Sequence, residues 1–132
     1  RDRVVITEDC KTSKSWRSTV ADSAIEARAK AGMTAPFQGP VMLSITFRMP
    51  RPKSHYRTGK HAGELKPEAP TFHTQKPDRT KLTRSTEDAL TGILWRDDAQ
   101  VVCGEVVKEW ANDGPCALIV VQEVDEKQRR HV

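Results

Sequence analysis

The sequence predicts a single mixed α/β domain in which two main helices pack on a small sheet. Two stretches repeat apolar residues every three or four positions, one stretch alternates apolar and polar residues, and two further apolar stretches lie near the end. The length of 132 residues suits one domain spanning residues 1–132. Because only 36% of the residues are hydrophobic, the core is modest, and we expect a partner subunit to contribute stability.

A short strand and a helix are predicted first. Residues 3–7 (RVVIT) favour a strand. In residues 15–31 the apolar positions fall three or four apart, which predicts an amphipathic helix. Gly32 is placed to end it, since glycine readily adopts the left-handed conformation that follows a helix. The apolar positions are Trp16, Val20, Ala24, Ala27 and Ala31.

Residues 41–49 (VMLSITFRM) predict a strand with one face in the core, because every second position is apolar. Pro50 ends this strand. Residues 50–77 hold five of the eight prolines and predict a long loop. Loops longer than about 12–15 residues in compact domains are usually functional or disordered.

A second helix is predicted over residues 79–91, with Asp78 just before it and Gly92 placed to stop it. Helical spacing gives this segment an inward and an outward face. The inward face carries Leu82, Ala89, Leu90 and Ile93, and the other face carries Thr80, Arg84, Glu87 and Asp88.

The remaining residues predict a turn at 95–99 (WRDDA), strands over 100–110 and 117–124, and a polar tail over 125–132. Residues 111–116 (ANDGPC) contain Asp-Gly and Gly-Pro pairs, which favour hairpin turns. We therefore expect the last two strands to form a hairpin.

Composition argues against several classes of protein. No apolar run approaches the roughly 20 residues that span a bilayer, and no signal peptide opens the sequence. We therefore expect a cytoplasmic protein with reduced thiols. The cysteines are odd in number and lack C-x-x-C spacing, and the four histidines lack ligand spacing, so neither a disulfide framework nor a zinc site is expected. The cysteines are Cys10, Cys103 and Cys116.

Positive charge is concentrated between residues 48 and 84. This stretch has ten Lys or Arg against three acids, whereas the net charge of the whole chain is only +4. Such a density is typical of a surface that binds a polyanion. A solvated basic loop explains it equally well, so charge alone leaves both interpretations open.

Three aspartates are candidate ligands for a hard cation. Mg²⁺ prefers oxygen ligands and is often held by one or two carboxylates together with substrate phosphate. Asp78 precedes the second helix, and Asp97 and Asp98 lie in the turn after it. Taken alone, these positions are more typical of a helix N-cap and a solvated turn.

The segment KPDRTKLTRSTEDALTGILWRDDAQVV, residues 76–102, resembles the signature of the RusA family of Holliday junction resolvases and their phage relatives. The family pattern reads approximately P-D-x-D-N-L-x-K, then D-A-L, then a turn with D-D-x-Q-V. A weaker resemblance covers nearly the whole chain. The matching residues are Pro77, Asp78, Leu82, Asp88, Ala89, Leu90, Asp97, Asp98, Gln100 and Val101.

The resemblance implies a small α/β domain that forms a homodimer and cuts branched DNA with a divalent cation, Mg²⁺ or Mn²⁺. By position it implies that Asp78 and Asp98 hold the metal, with Asp97 beside them. Arg84 falls where the family has a lysine that is thought to meet the phosphate. The expected setting is a bacterial host cell, with the gene carried by a phage or prophage.

Thr80 departs from the family pattern, because it stands where a second catalytic aspartate is expected and Lys81 follows it. Two explanations compete. In the first, Glu87 or Asp88 supplies the missing charge and the site is rebuilt. In the second, the protein binds branched DNA without efficient cleavage.

The basic stretch gains a function from the resemblance, since a four-way junction is dense in phosphate. Its cations are expected to contact the DNA backbone, which positions the protein without reading sequence. The candidates are Arg51, Lys53, Arg57, Lys60, Lys76 and Lys81. Three aromatic residues could stack at an opened junction, although ordinary packing is the simpler role; they are Tyr56, Phe72 and Trp95.

The family's members usually carry a strand and a proline-rich turn ahead of the segment that matches residues 3–7. Because this sequence opens at Arg1 without a methionine, the sequence leaves open whether such a piece precedes it, and DNA contacts of that piece are not assigned.

Overall fold

The computed structural model describes residues 3–9, 15–112, 114 and 116–126. Three one-turn 3₁₀ helices lie at Lys53–His55, Gly59–His61 and Asp98–Gln100. The longer elements, in chain order, are β1 (Arg3–Asp9), α1 (Trp16–Lys30), β2 (Val41–Met49), α2 (Arg79–Leu90), β3 (Val101–Cys103), β4 (Val106–Trp110) and β5 (Cys116–Glu123). The predicted fold class, two helices on a small sheet, is confirmed.

The sheet is mixed, and β2 is its central strand. β1 pairs antiparallel with β5, and β5 pairs antiparallel with β2. On the other side of β2, the short strands β3 and β4 follow one another and both run parallel to it. Ile45 of β2 lies opposite Ile119 of β5 and Val106 of β4, so these three side chains project from one face of the sheet.

That face forms the core. Along β2 the buried positions alternate with half-buried ones, as predicted from the sequence. The helices cover the buried face, where Leu90 of α2 is fully buried. Other core residues from the sheet are Val4, Ile6, Val41, Leu43, Ile45, Phe47, Ala117, Ile119 and Val121.

The first helix begins and ends where the sequence predicts. The Ser15 side chain accepts a hydrogen bond from the Ser18 amide, which caps the N-terminus. At the other end Gly32 has a φ of +74°. Its amide donates to Ala29, and the Met33 amide donates to Arg28, which is the Schellman arrangement.

The predicted hairpin between the last two strands is wrong. β4 and β5 pair with opposite edges of β2, so β2 lies between them. The chain therefore passes from one edge of β2 to the other between β4 and β5. The turn signals marked a reversal of direction, but such signals do not specify that the flanking strands are neighbours.

The strand predicted over residues 100–110 is divided in two at Gly104. At this residue φ is +134°, and a Cβ atom would lie 1.8 Å from the carbonyl oxygen of Leu43. The backbone thus packs directly against β2, and only glycine fits. Pairing resumes with the Ile45 amide donating to the Glu105 carbonyl.

The predicted loop over residues 50–77 has a folded path. Near its end, Phe72 bridges Glu109 in antiparallel fashion. The His73 amide donates to Lys108, and the Trp110 amide donates to Thr71. This part of the loop therefore extends the sheet beyond β4.

Some predicted features fall outside the described residues, namely Cys10 and most of the polar tail at 125–132. Cys103 and Cys116 are free thiols, and no helix within the described residues is long and apolar enough to cross a membrane.

Candidate active site

Asp78 caps the start of α2. Its Oδ1 atom accepts a hydrogen bond of 2.9 Å from the Lys81 amide, and the residue is exposed. Asp78 is therefore the N-cap of this helix, which is the ordinary role of an aspartate at that position.

Asp97 and Asp98 lie in the turn between α2 and β3. Asp97 Oδ1 accepts from the Ala99 amide at 2.9 Å, and this hydrogen bond caps the one-turn helix Asp98–Gln100. Both aspartates are exposed. Asp98 is the first residue of that turn.

Gln100 holds this acidic turn in place. Its Oε1 accepts from the amides of Arg96 and Asp97 at 2.8 and 2.9 Å. Its Nε2 donates to the carbonyls of Phe37 and Gly39 at 2.9 and 2.8 Å. The amide thus ties the turn to the connection that precedes β2. Gln100 is part of the sequence pattern that resembles the family, but the spacing of residues alone did not predict that its side chain holds this turn.

A cleft of about 370 Å³ separates α2 from the strand region around Gly104. Thr80, Arg84 and Glu87 lie along it, so the predicted outer face of α2 lines a depression on the surface. Thr80, the departure from the family pattern, therefore shares a cleft with an acidic residue. The other lining residues are Arg79, Thr83, Gly104 and Val106.

Glu87 is the acid in this cleft, and it is half-buried. Burial raises the pKa of its carboxyl, and the negative charges of Asp98 and Asp88 raise it further, while Arg84 lowers it. Glu87 and Asp98 are consequently close enough for their charges to interact. Asp78, nine residues earlier on the same helix, is about 13 Å from Glu87 along the helix axis.

The other candidate acid, Asp88, faces a different way. Its carboxylate lies 3.9 Å from the guanidinium of Arg17 on α1, and both side chains are well exposed. Of the two acids proposed to replace the missing aspartate, the structure places Glu87 in the cleft and pairs Asp88 with the first helix.

The donor set allows a cation site with few protein ligands. Among residues 3–9, 15–112, 114 and 116–126, no three His, Cys, Asp or Glu are grouped to hold a metal ion. The convergence of Asp78, Asp97 and Asp98 on one cation therefore stays a prediction. Mg²⁺ is often bound by one or two carboxylates, with waters and substrate phosphates completing its shell. Glu87 and Asp98 are two carboxylates whose charges interact, which makes them candidates for such a pair.

The predicted DNA-binding cations divide into two groups. Lys53, Lys60, Lys76 and Lys81 are exposed. Arg57 makes a 3.6 Å ion pair with Glu64 on the surface, an interaction that contributes only about 0–1 kcal/mol. These five side chains can therefore reach a phosphate at small cost.

Arg51 differs from the other cations because its guanidinium already has internal partners. Nε donates to the Ala111 carbonyl at 2.9 Å, and Nη1 donates to the Pro70 carbonyl at 2.8 Å. Nη2 donates to Asn112 Oδ1 at 3.1 Å. Arg51 thus fastens the loop to the connection after β4, and its phosphate contact stays a prediction.

The three aromatic candidates occupy different environments. Trp95 is completely buried, and its indole donates to the Thr91 hydroxyl at 2.9 Å, so its role is packing. Tyr56 is half-buried. Phe72, on the loop segment beside β4, is 62% exposed and is the aromatic side chain of the three that a DNA base can reach.

Comparison with known proteins adds two findings. A family model described as endodeoxyribonuclease RusA matches residues 2–122. An uncharacterized protein of Bacillus subtilis (strain 168), YqaN, is 30% identical over 129 residues, which cover 94% of this chain and 83% of that protein.

Proposed function

This chain belongs to the RusA family of endodeoxyribonucleases, and on that premise we propose that it resolves Holliday junctions by hydrolysing phosphodiester bonds with Mg²⁺ or Mn²⁺. The observation that supports this function best is the cleft beside α2. There Glu87 lies near Asp98 and Arg84, and exposed lysines lie along the preceding loop and at the start of the helix.

Each residue has a proposed task. Asp98 holds the cation with Asp97 beside it, and either Asp78 or Glu87 supplies the second carboxylate, because these two residues lie about 13 Å apart along the helix axis and cannot bind one cation together. Arg84 contacts the scissile phosphate. When bound, the cation supplies activation of water and neutralisation of charge during in-line displacement. Arg84 adds a planar donor group that can pair with two phosphate oxygens at once.

The central experiment compares cleavage of a synthetic four-way junction, with Mg²⁺ or Mn²⁺, by the wild type and by Asp98→Asn. We expect the variant to cut about 10²-fold or more slowly, on the scale seen when one electrostatic group is removed from an active site. Glu26→Gln, an exposed acid of α1, is the control and should cut as the wild type does. Equal cutting by Asp98→Asn and the wild type would contradict the assignment.

Cation binding can be measured without cleavage. A ligand that binds only the folded state raises the melting temperature, so Mn²⁺ should stabilise the wild type. The increase should shrink in Asp98→Asn and in Glu87→Gln and persist in Glu26→Gln. An undiminished increase in both cleft variants would place the cation elsewhere.

A second candidate function follows from Thr80. In this alternative the chain is a RusA-like protein that binds branched DNA without efficient cleavage, because a neutral hydroxyl replaces an acidic ligand. Thr80→Asp separates the two. A large gain in cutting indicates an impaired natural site, whereas loss or no change indicates a site rebuilt around Glu87. Binding of a junction and of linear duplex at the same salt concentration tests structure specificity for both functions.

We also propose that the protein acts as a homodimer. The sheet face opposite the helices carries half-buried apolar side chains from three strands, and Val5 there is 48% exposed. A two-fold dimer suits a substrate that is cut symmetrically. Light scattering should give about twice the chain mass of 14.8 kDa. On the same premise, we propose that it works in the cytoplasm of a bacterial host from a phage or prophage gene.

A further inference from the structure

Lys108 of β4 joins the sheet to the segment that leads into α2. Its Nζ atom donates to the carbonyl of Gln75 at 2.7 Å and to the carbonyl of Pro77 at 2.8 Å. Residues 74–78 contain no helix or strand. Their course therefore depends on contacts made from outside the segment, and this ammonium group makes two of them.

The hydrogen bond to Pro77 acts directly on Asp78. The Pro77 carbonyl and the Asp78 amide nitrogen belong to one planar peptide unit, so fixing the oxygen also fixes the direction in which the chain enters Asp78. From there Asp78 Oδ1 accepts from the Lys81 amide, and the Asp78 carbonyl accepts from the Leu82 amide at 3.2 Å. Lys108 thus binds the residue immediately before Asp78, which caps the helix.

The strand places Lys108 correctly for this role. Side chains two residues apart on a strand project from the same face, so Lys108 lies between Val106, which lines the cleft, and Trp110, which lies beneath the loop. The His73 amide donates to the Lys108 carbonyl at 3.1 Å, so the main chain of Lys108 also holds the loop.

His73 is a buried neighbour of this anchor. The side chain is 94% buried, and its ring lies 4.5 Å from that of Trp110. Burial lowers the pKa of His73, and the charge of Lys108 lowers it further. Lys108 therefore lies close enough to His73 for its charge to disfavour protonation of the imidazole.

We infer that Lys108 is a positioning residue for Asp78: by binding the Gln75 and Pro77 carbonyls it sets the place of the Asp78 carboxylate relative to the cleft. The catalytic meaning of this inference rests on the proposed nuclease function, whereas the positioning itself does not. A direct phosphate contact by Lys108 is the competing role, and the two differ in what a substitution changes.

The test uses Lys108→Met, which keeps most of the aliphatic stem and removes the donor, and Lys108→Arg, which keeps the charge. Lys66→Met, which removes a positive charge from the 50–77 loop, is the matched control. Hydrogen exchange is measured at the amides of Lys81 and Leu82, which donate to Asp78. Junction cleavage is measured as separate kcat and KM values.

We expect Lys108→Met to exchange these two amides about tenfold faster while α1 amides keep their protection, since opening is then confined to one helix end. We expect kcat to fall about tenfold with KM changed by less than about twofold, because a displaced ligand affects the chemical step more than binding. Lys108→Arg should recover most of the amide protection and most of the kcat. Lys66→Met should match the wild type in both measurements.

Unchanged exchange at Lys81 and Leu82 in Lys108→Met would overturn the inference. A raised KM with unchanged kcat and unchanged exchange would instead identify a phosphate contact. If Lys108→Met does not fold, Lys108→Gln, which is shorter and cannot reach both carbonyls, is interpreted in the same way. If the wild type cuts no junction, the proposed function fails, but the exchange measurement still decides whether Lys108 positions Asp78.

Discussion

The carboxyl group of Glu87 is held in surroundings that oppose its ionisation. Its pKa is raised above the ordinary value of 4.5 by burial and by the charges of Asp98 and Asp88. Between the unfolded and the folded pKa, the folded protein binds more protons than the unfolded chain, so stability falls as pH rises through that interval. The penalty is complete above the folded pKa and absent below the unfolded value.

Glu87→Gln should therefore raise the melting temperature at pH about 7, and the gain should vanish below pH about 4.5, where the natural side chain is protonated as well. Calorimetry across this range, without divalent cations, measures the effect. Glu26→Gln is the control, because Glu26 is an exposed acid of α1 and is not among the groups that raise the pKa of Glu87. A variant no more stable than the wild type at neutral pH would show that Glu87 is not strained by its neighbours.

At the residue scale, the sequence predicted which residues share a helix face better than it predicted which distant side chains they contact. Helical spacing correctly put Thr80, Arg84 and Glu87 on one face of α2, because that face depends on local geometry alone. Helical spacing did not distinguish Glu87 from Asp88. Their surroundings differ only after folding, when Asp98 comes near Glu87 and Arg17 pairs with Asp88. The same limit applies to Arg51, whose partners lie up to 61 residues away.

At the scale of elements, Gly104 decides how the second half of the sheet is built. β3 and β4 pair with one strand in succession, and the break between them brings backbone against backbone at Leu43. Strand periodicity predicted one continuous strand there. The pattern of apolar and polar residues carries no information about the break at Gly104 or about the strand that packs against it. The hairpin failed for a related reason, since the order of strands in a sheet depends on long-range packing.

Gly104→Ala should destabilise the protein by about 3 kcal/mol or more, since it adds a steric clash to backbone strain at positive φ. Urea unfolding measures the loss. Gly59→Ala is the matched control: φ there is +72° and a Cβ would meet no atom within 4 Å, so only the conformational cost of about 1 kcal/mol applies. Similar losses for both variants would mean that the close approach to Leu43 is relieved without cost.

At the scale of the whole molecule, composition and pattern were sufficient to predict the mixed α/β fold class and the basic segment between β2 and α2. The path of that segment was beyond prediction. It is set by Arg51, by the rings of His55 and His73 against Trp110, and by backbone pairing with β4. Each of these contacts joins residues distant in sequence, and proline-rich segments carry no periodicity that would reveal them.

Salt dependence of junction binding should separate cations that touch phosphate from cations that hold the fold. Each lost phosphate contact reduces the slope of log K against log salt concentration by about 0.9. Lys53→Gln and Lys60→Gln should each show this change with unaltered stability, because both side chains are exposed. Arg51→Gln should mainly lower the melting temperature. If Arg51→Gln instead reduced the slope and the lysine variants lowered the melting temperature, the assigned roles would be exchanged.

Trp110, Lys108 and Val106 project from one side of β4, so a single run of alternating side chains serves the loop, the start of α2 and the cleft together. Inserting one residue into β4 would turn the side chains beyond it to the other side of the sheet and detach the structures that they support. This five-residue strand therefore tolerates substitution better than any change in its length. Lengthening belongs instead in the outer part of the loop, around residues 59–63, which are exposed.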